Sequence, residues 1–408
     1  MIYDIIIIGA GPAGLFVAAN VNKKTNSLIL NNTNAPGKKL LISGAGQCNI
    51  TNTGKIKDFI GRYGDNGNRI RKALYSFSNI ALIDYLESKG IECFKRDDGK
   101  VFPKSMKGLE LLDLLVTRGR NNGFKLINKV EIRYIEYDES KSIYKLKDDA
   151  GKIYKCHKVV IATGGLSYPK SGSNGSIIGC LTDMGIELVP QREALVPIFL
   201  ENYPYSSLSG IAFKKAKVTI GKHEKTGSFL FTHKNLSGPV ILDMSRYAKN
   251  GEKISINYLG DVSKEQLMEI FTKAKLGCVR LAHTIIYDVL LKLSSDITKR
   301  YVELLCMRVG IEEKTRFADM KKDWLVKLVD YVTDDTYMIT GNGGYNVAMC
   351  TAGGVSLDEV DASTFEVRKY PGMYIIGELL DIDGDTGGFN IQFAFSSGYV
   401  CGKSIIKY

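Results

Sequence analysis

The sequence predicts an α/β protein: a Rossmann-like parallel-sheet domain built from the two ends of the chain, with a β-barrel and a helical segment inserted between them. Three observations predict it. A β-branched apolar run at 2–8 ends in a glycine-rich turn, GAGPAG (9–14), that leads straight into the helix-spaced LFVAANVNKK. Further buried strands, KVVIATGG ending at 165 and MYIIGE at 373–378, also close on glycine turns, the last before an amphipathic helix from about 390. Between them the texture changes to short strands broken by Pro, Gly and Ser (LVPIFL, KKAKVTIGK, GSFLFTHKN, GPVIL, KISINYL) and then to helix over 262–330.

Taken in order, residues 2–8 form a strand, 9–14 a tight turn and the next segment a helix. Ser27–Leu30 falls where the next parallel strand of a βαβ unit belongs. Residues 36–53, rich in Gly, Ser and Asn, predict an extended loop with one short helix, and loops of that length usually bind something. The pattern over 70–122 is helical around an excursion at 91–105, and 124–149 reads as a strand meander. The resulting domains are 1–190 with 346–408 for the split Rossmann-like part, 191–260 with 331–345 for the barrel, and 261–330 for the helical insert.

At 408 residues, 44% hydrophobic and 24% charged, the chain has the balance of a globular protein with two or three domains. Its 42 glycines are about a tenth of the chain, against a usual ~7%, so many backbone positions need positive φ or close approach. No stretch nears the ~18 apolar residues of a membrane helix. The IIII at 5–8 follows Asp4 rather than a basic segment, so it reads as a strand and not as a secretory leader. The eight cysteines lie far apart with no CxxC pair and no metal-ligand spacing, which predicts reduced thiols in a cytoplasmic protein without a metal site. A net charge of +11 suits a polyanionic partner or an anionic cofactor, and equally a solvated basic surface. The densest lysine groups, Lys38-Lys39 and Lys214-Lys215-Lys217, are short.

Gly9-x-Gly11-x-x-Gly14 carries the first chemistry. A dinucleotide's diphosphate needs backbone N–H groups at a helix N-terminus; the first glycine makes the turn, the second lets the ligand approach, and the third packs helix on sheet. An acid is expected about 20 residues on to hold the adenosine ribose. Asn31 stands there instead, with Asn32 beside it. FAD rather than NAD is indicated because distant segments return with glycine turns suited to an extended ligand. These are Ala162-Thr163-Gly164-Gly165, Gly377-Glu378, and the run Asp385-Thr386-Gly387-Gly388-Phe389-Asn390 at the start of the last helix. That helix N-terminus places partial positive charge at the flavin end.

The chain resembles the HI0933-like (YhiN-like, BaiN-type) flavoprotein oxidoreductases, also labelled the aminoacetone oxidase family. The likeness runs over essentially the whole length. It is carried by IIIIGAGPAGLFVA, PGKKLLISGAGQCNITN, VVIATGGLSYPKSGSNG, FLFTHKNLSGPVIL, TAGGVSLDEVD and YIIGELLDIDGDTGGFNIQFAFSSGYVCG. What the resemblance implies is FAD held by both chain ends beneath the inserted parts, with contacts at Ala13, Asn31, Lys39, Val130, Glu378 and Ile391. The loop containing Gly44, Gly46, Gln47, Cys48 and Asn49 joins that site. Val130 would offer strand-end backbone to the adenine edge, and Glu378 would hold ribitol hydroxyls. The family's usual Glu and Arg are replaced here by Asn31 and Gln47, which implies weaker cofactor binding.

Other candidates are Tyr168, as a proton donor just beyond ATGG, and His233 in FTHKNLSG, either on the substrate side or as a loop brace. Cys48 without a partner thiol reads as a buried small residue, and Ser171–Gly175 mimics a nucleophile elbow without its first glycine. The expected activity is hydride transfer through flavin N5 to or from a small organic substrate. By resemblance, this is reduction of a conjugated enone with NAD(P)H as a transient donor, since no second GxGxxG follows a strand. An amine-oxidising flavoenzyme and a flavin-containing RNA-modifying protein are the alternatives. The latter calls for a continuous basic face with aromatics, and no such run is present, so a nucleic-acid partner is not expected.

Overall fold

The isoleucines at 5–8 are 0–5% exposed, because Ile2–Ile8 is the centre of a sheet buried on both faces, as a continuous apolar run requires. The structure, a computed structural model, describes residues 1–21 and 24–406. The chain divides into two units, Met1–Ala194 with Ala348–Tyr408, and Leu195–Val347. These joins lie a few residues beyond the 190/191 and 345/346 expected from sequence. The reason is that Leu188–Ala194 pairs antiparallel with Cys350–Val355 and so stays with the first unit.

In the first unit the parallel strands run Phe124–Asn128, Ser27–Asn31, Ile2–Ile8, Ile153–Ile161. Ile6 stands opposite both Leu28 and Val159. Met373–Ile375 adds a fifth parallel strand beside the end of Ile153–Ile161, whose beginning is flanked by the antiparallel pair Ile143–Asp148 and Ile132–Asp138. The register aligns Ile8, Ile161 and Ile375 in one row. The carboxyl ends of the parallel strands, where open α/β sheets bind ligands, therefore share one edge. Helix Pro12–Asn20 is buried from Ala13 onward and packs between helices Gly108–Asn121 and Phe389–Ser404. That explains why LFVAA is apolar all round rather than striped.

The second unit holds a closed barrel of Ile198–Leu200, Leu236–Ser237, His223–Phe231, Ala212–Ile220, Lys253–Asn257 and Asp335–Asn342. Its interior is aromatic, with Phe213, Phe229, Phe231 and Tyr258 at 0–1% exposure. Helices Lys264–Lys275, Ala282–Leu293, Lys299–Val309 and Lys322–Thr333 occupy the chain between its last two strands. Ser263 and Gln266 form a capping box at the first of them. Asp335, at the start of the last strand, accepts from Tyr258 Oη at 3.0 Å and from Arg308 at 3.1 Å. These bonds fasten the barrel to helix Lys299–Val309 and compensate a buried carboxylate that would otherwise be costly.

Among the described residues no helix is long and apolar enough to cross a membrane. All eight cysteines are free.

Candidate functional site

The three motif glycines have different physical reasons. Gly9 has φ +108°, and a Cβ there would lie 2.4 Å from the Ala162 carbonyl oxygen. A Cβ on Gly14 would lie 2.2 Å from Gly9 O. Both positions are closed by packing. Gly11 has an ordinary φ of −82°, and a Cβ on it would meet nothing within 4 Å. Its lack of a side chain leaves open space in front of the helix, not room inside the fold. The first N–H of helix Pro12–Asn20 with a carbonyl partner is Leu15, which donates to Gly11 O at 3.0 Å. The N–H groups of Ala13 and Gly14 have no such partner among the described residues. Thr163 Oγ1, on the turn beside Gly9, is buried without a hydrogen bond. An open face, two aimed N–H donors and an orphaned hydroxyl fit a diphosphate.

At the end of Ser27–Asn31, the Asn31 Nδ2 donates to Asn128 Oδ1 (2.8 Å) and to Thr33 Oγ1 (3.2 Å). Its side-chain Oδ1 accepts no hydrogen bond among the described residues. Asn32 Nδ2 is held by the Gly172 carbonyl at 2.8 Å. Val130 follows the strand Phe124–Asn128 rather than ending it, and its N–H donates to Asn31 O at 3.0 Å. The adenine edge expected there can therefore find only the Val130 carbonyl. Beside these residues lies a cleft of about 490 Å³ lined by Asn32, Lys38, Lys129, Lys170 and Asn174 among others.

Lys39 and Glu378, 339 positions apart in sequence, meet as an ion pair at 2.6 Å with side chains about four-fifths buried. Glu378 Oε1 also accepts from Ser167 Oγ (2.8 Å) and from the Thr351 N–H (2.9 Å). Thr351 Oγ1 accepts from the N–H of Leu166 and Ser167. A Cβ on Gly165 would lie 2.4 Å from Thr351 Oγ1, so this glycine lets the ATGG turn reach Thr351. Ser167 and Thr351 lie within motifs quoted above, yet nothing in their spacing marks them as partners of Glu378.

The turn at 381–390 is built by its own residues. Asn390 closes it with both amide atoms on Gly384, each at 2.8 Å. Segment Ile60–Ile70 braces it: Tyr63 Oη donates to Phe389 O at 2.8 Å, the Asp385 N–H to Arg62 O at 2.8 Å, and Arg62 pairs with Asp385 at 3.6 Å. With its amide turned to satisfy its neighbours, Asn49 accepts from the Gly388 N–H at 3.0 Å. In helix Phe389–Ser404, Gln392 N donates to Gly388 O at 2.9 Å. The N–H groups of Asn390 and Ile391 lack carbonyl partners among the described residues, and Thr386 and Gly387 precede them on the same turn. This 16-residue helix presents a positive N-terminus.

The loop at 44–48 carries left-handed φ at Gly44, Ala45, Gly46 and Cys48, a concentration of unfavourable backbone typical of binding loops. Gln47 is exposed, and Cys48 is fully buried. Burial pushes its thiol up to about 11, so it is a packed neutral thiol rather than a nucleophile. Tyr168 is half-buried with φ +51°, immediately after Ser167. His233 lies exposed on the Thr232–Asn235 turn of the second unit. The structure thus brings the motifs at 9–14, 162–167, 351 and 377–391 together in the first unit and places His233 in the second.

Residues 3–404 match the family described as HI0933-like protein Rossmann domain. The chain belongs to the HI0933-like family. This HI0933-like protein is an FAD-dependent oxidoreductase. It is 32% identical over 409 residues to the ribosomal RNA dihydrouridine synthase of Escherichia coli K12, covering 99% of this chain and 98% of that protein. It is 26% identical over 412 residues to the 3-dehydro-bile acid Δ(4,6)-reductase of Clostridium scindens, with 98% of each covered. The fold is similar to that of a 3-ketosteroid-Δ4-(5α)-dehydrogenase from Rhodococcus jostii RHA1. There the TM-score is 0.54 at 14% identity over all of this chain and 97% of the other.

Proposed function

We propose that this protein reduces a carbon–carbon double bond conjugated to a carbonyl, and that its substrate is a uracil ring of ribosomal RNA. The observation that carries the reading is the full-length, 32% identity to a ribosomal RNA dihydrouridine synthase. The C5=C6 bond of uracil is conjugated to the C4 carbonyl, as the double bonds of a Δ(4,6)-3-ketone are to theirs. One chemistry, hydride to the far carbon and a proton to the near one, therefore serves both relatives. The net charge of +11 suits an RNA substrate. The expectation against nucleic acid rested on the lack of a basic run, but a folded surface collects its charges from separate segments and needs none.

Bound here, FAD would supply the hydride, with a reduced nicotinamide as the source of its two electrons. The Ala13 and Gly14 N–H groups and the open face of Gly11 hold the diphosphate. The Asn31 side-chain oxygen and the Val130 carbonyl would hold the adenosine. Lys39 fixes Glu378 as a ready acceptor for hydroxyl groups, and Ser167 and Thr351 hold that carboxylate in one orientation. The N-terminus of helix Phe389–Ser404 supplies positive potential where negative charge gathers. Tyr168 Oη, set next to Ser167 on a strained backbone, delivers the proton.

The test is anaerobic incubation of FAD-loaded protein with NADH or NADPH and unmodified ribosomal RNA transcribed in vitro, followed by nuclease digestion and mass spectrometry. Dihydrouridine is the expected product. RNA returned unmodified, while a 3-oxo-Δ(4,6) steroid offered in parallel is reduced, would reject the RNA substrate and keep the reaction type. Neither being reduced by protein whose flavin bleaches with the donor would reject both.

A further inference from the structure

Segment 60–76 has two faces. The inner one braces the 381–390 turn through Arg62 and Tyr63, and Asn66 Nδ2 adds bonds of 2.8 Å to Asp381 O and Oδ2. The outer one is cationic and aromatic. Arg71 and Lys72 are exposed, and Tyr75 is 48% exposed. Arg71 lies 5.4 Å over the Tyr75 ring. Beside them opens a cleft of about 360 Å³ lined by Lys72, Tyr75, Ser76, Ser363 and Val400, with Ala73 and Ala362. Val400 belongs to helix Phe389–Ser404, on which Lys403 lies 5.6 Å over Tyr399. Tyr399 in turn stacks on Phe77 at 4.4 Å.

Arg71, Lys72 and Lys403 have no carboxylate within 4 Å among the described residues. The acid next to the lining residues, Asp361, accepts from the Ser363 N–H (2.8 Å) and Oγ (2.7 Å). These bonds together with the nearby Arg368 and Lys72 charges hold its carboxyl below the usual range, so Lys72 is partly compensated there while Arg71 and Lys403 are not. A slot with an apolar floor, an exposed ring at its edge, hydroxyls at its rim and cations around it has the features of a stacking site on single-stranded nucleic acid. There bases lie on aromatic faces while cations track the phosphates. Val400 is 11 residues along the helix from Phe389, so at about 1.5 Å per residue the slot lies about 16 Å from the helix N-terminus at the cofactor turn. A few nucleotides of extended strand span that distance.

We infer that the cleft between Tyr75 and Val400 is an RNA-docking site, in which Tyr75 stacks a base a few nucleotides from the one that reacts and Arg71 and Lys72 hold its phosphates. The inference rests on the ribosomal RNA reading above and names the surface that reading lacks. Because segment 60–76 also braces the cofactor turn, a base seated there is positioned relative to the flavin end by the same piece of chain.

The experiment measures binding of unmodified ribosomal RNA transcripts to FAD-loaded wild-type protein, Tyr75→Ala, Tyr75→Trp and Arg71→Gln/Lys72→Gln over a range of salt concentrations, with FAD content recorded for each. Tyr75→Ala is expected to weaken binding roughly 5- to 100-fold, and Tyr75→Trp to retain it, since an indole stacks as well as a phenol. The double charge variant is expected to flatten the slope of log affinity against log salt by about 1.4, at about 0.7 per single-strand phosphate contact. FAD content should stay at the wild-type level in all of them. Wild-type binding with unchanged affinity and slope in both Tyr75→Ala and the charge variant overturns the docking site alone. Absence of RNA binding by the wild type overturns the RNA reading itself, and the docking site with it.

Discussion

Substituting Gly11 should separate cofactor binding from folding. A Cβ at Gly11 meets no atom within 4 Å, and its φ of −82° and ψ of −179° are open to any L-residue. Gly11→Val removes chain entropy from the unfolded state, worth about 0.4–1 kcal/mol, and gives up a preferred N-cap residue, a cost of up to about 1 kcal/mol. The two nearly cancel, so apoprotein stability should move by less than about 1 kcal/mol. The valine methyls fill the space through which a diphosphate reaches the Ala13 and Gly14 N–H groups. Two hydrogen bonds to a charged group are worth about 1.5–3 kcal/mol each, so FAD affinity should fall by about two to four powers of ten. Gly14→Ala is the contrast. Its Cβ would sit 2.2 Å from Gly9 O and 3.0 Å from Ile7 Cγ2, an overpacking worth about 1–3 kcal/mol or more. The apoprotein should therefore melt several degrees lower. Thermal melts are run on apoprotein, because bound ligand itself raises the midpoint, and FAD is titrated separately by fluorescence. Unchanged FAD affinity in Gly11→Val, or a melting loss as large as that of Gly14→Ala, would refute the assignment of the open face to the diphosphate.

Lys39→Met should cost about 1–3 kcal/mol of stability by leaving the Glu378 carboxylate without its cation, while Lys39→Met/Glu378→Gln recovers part of that in denaturant melts and remains poor in FAD. Asn31→Glu should tighten FAD by about 1 kcal/mol in a titration of apoprotein, since a charged acceptor bonds ribose hydroxyls better and Asn128 can turn its amide to meet it; no gain would place the ribose elsewhere. His233→Ala, an exposed turn position, should leave FAD content unchanged and lower turnover of the organic substrate; loss of flavin, or full turnover, would remove His233 from the substrate side. Burial raises the Cys48 thiol from 9.0 to about 11, so the buried neutral thiol contributes stability that is complete below pH 9 and lost as pH rises through 11. Melts between those values should show Cys48→Ala declining less steeply than the wild type.

The sequence by itself determined the Rossmann-like half, because its determinants are local. The IIII strand, the GAGPAG turn and the helix after it are contiguous, and period and glycine spacing suffice to place them. The same holds for the barrel texture and the helices over 262–330. Only the tertiary structure decided which residues meet. Lys39, Ser167, Thr351 and Glu378 form one polar cluster because helix Lys38–Ile42, the turns after Ile153–Ile161 and Met373–Ile375, and the start of Cys350–Val355 converge there, and no spacing in a one-dimensional string encodes that convergence. It also decided what each glycine is for. Gly9, Gly11 and Gly14 look equivalent in the motif, but two are enclosed by backbone atoms and one faces open space, a distinction set by neighbours such as Ala162 that lie far along the chain. The Val130 N–H likewise looked available as strand-end backbone until the fold gave it to Asn31. Local propensity and pattern choose the elements. The pairing of distant polar groups is chosen by the tertiary arrangement that brings their segments together, because a buried charge is costly unless the completed fold supplies its partner.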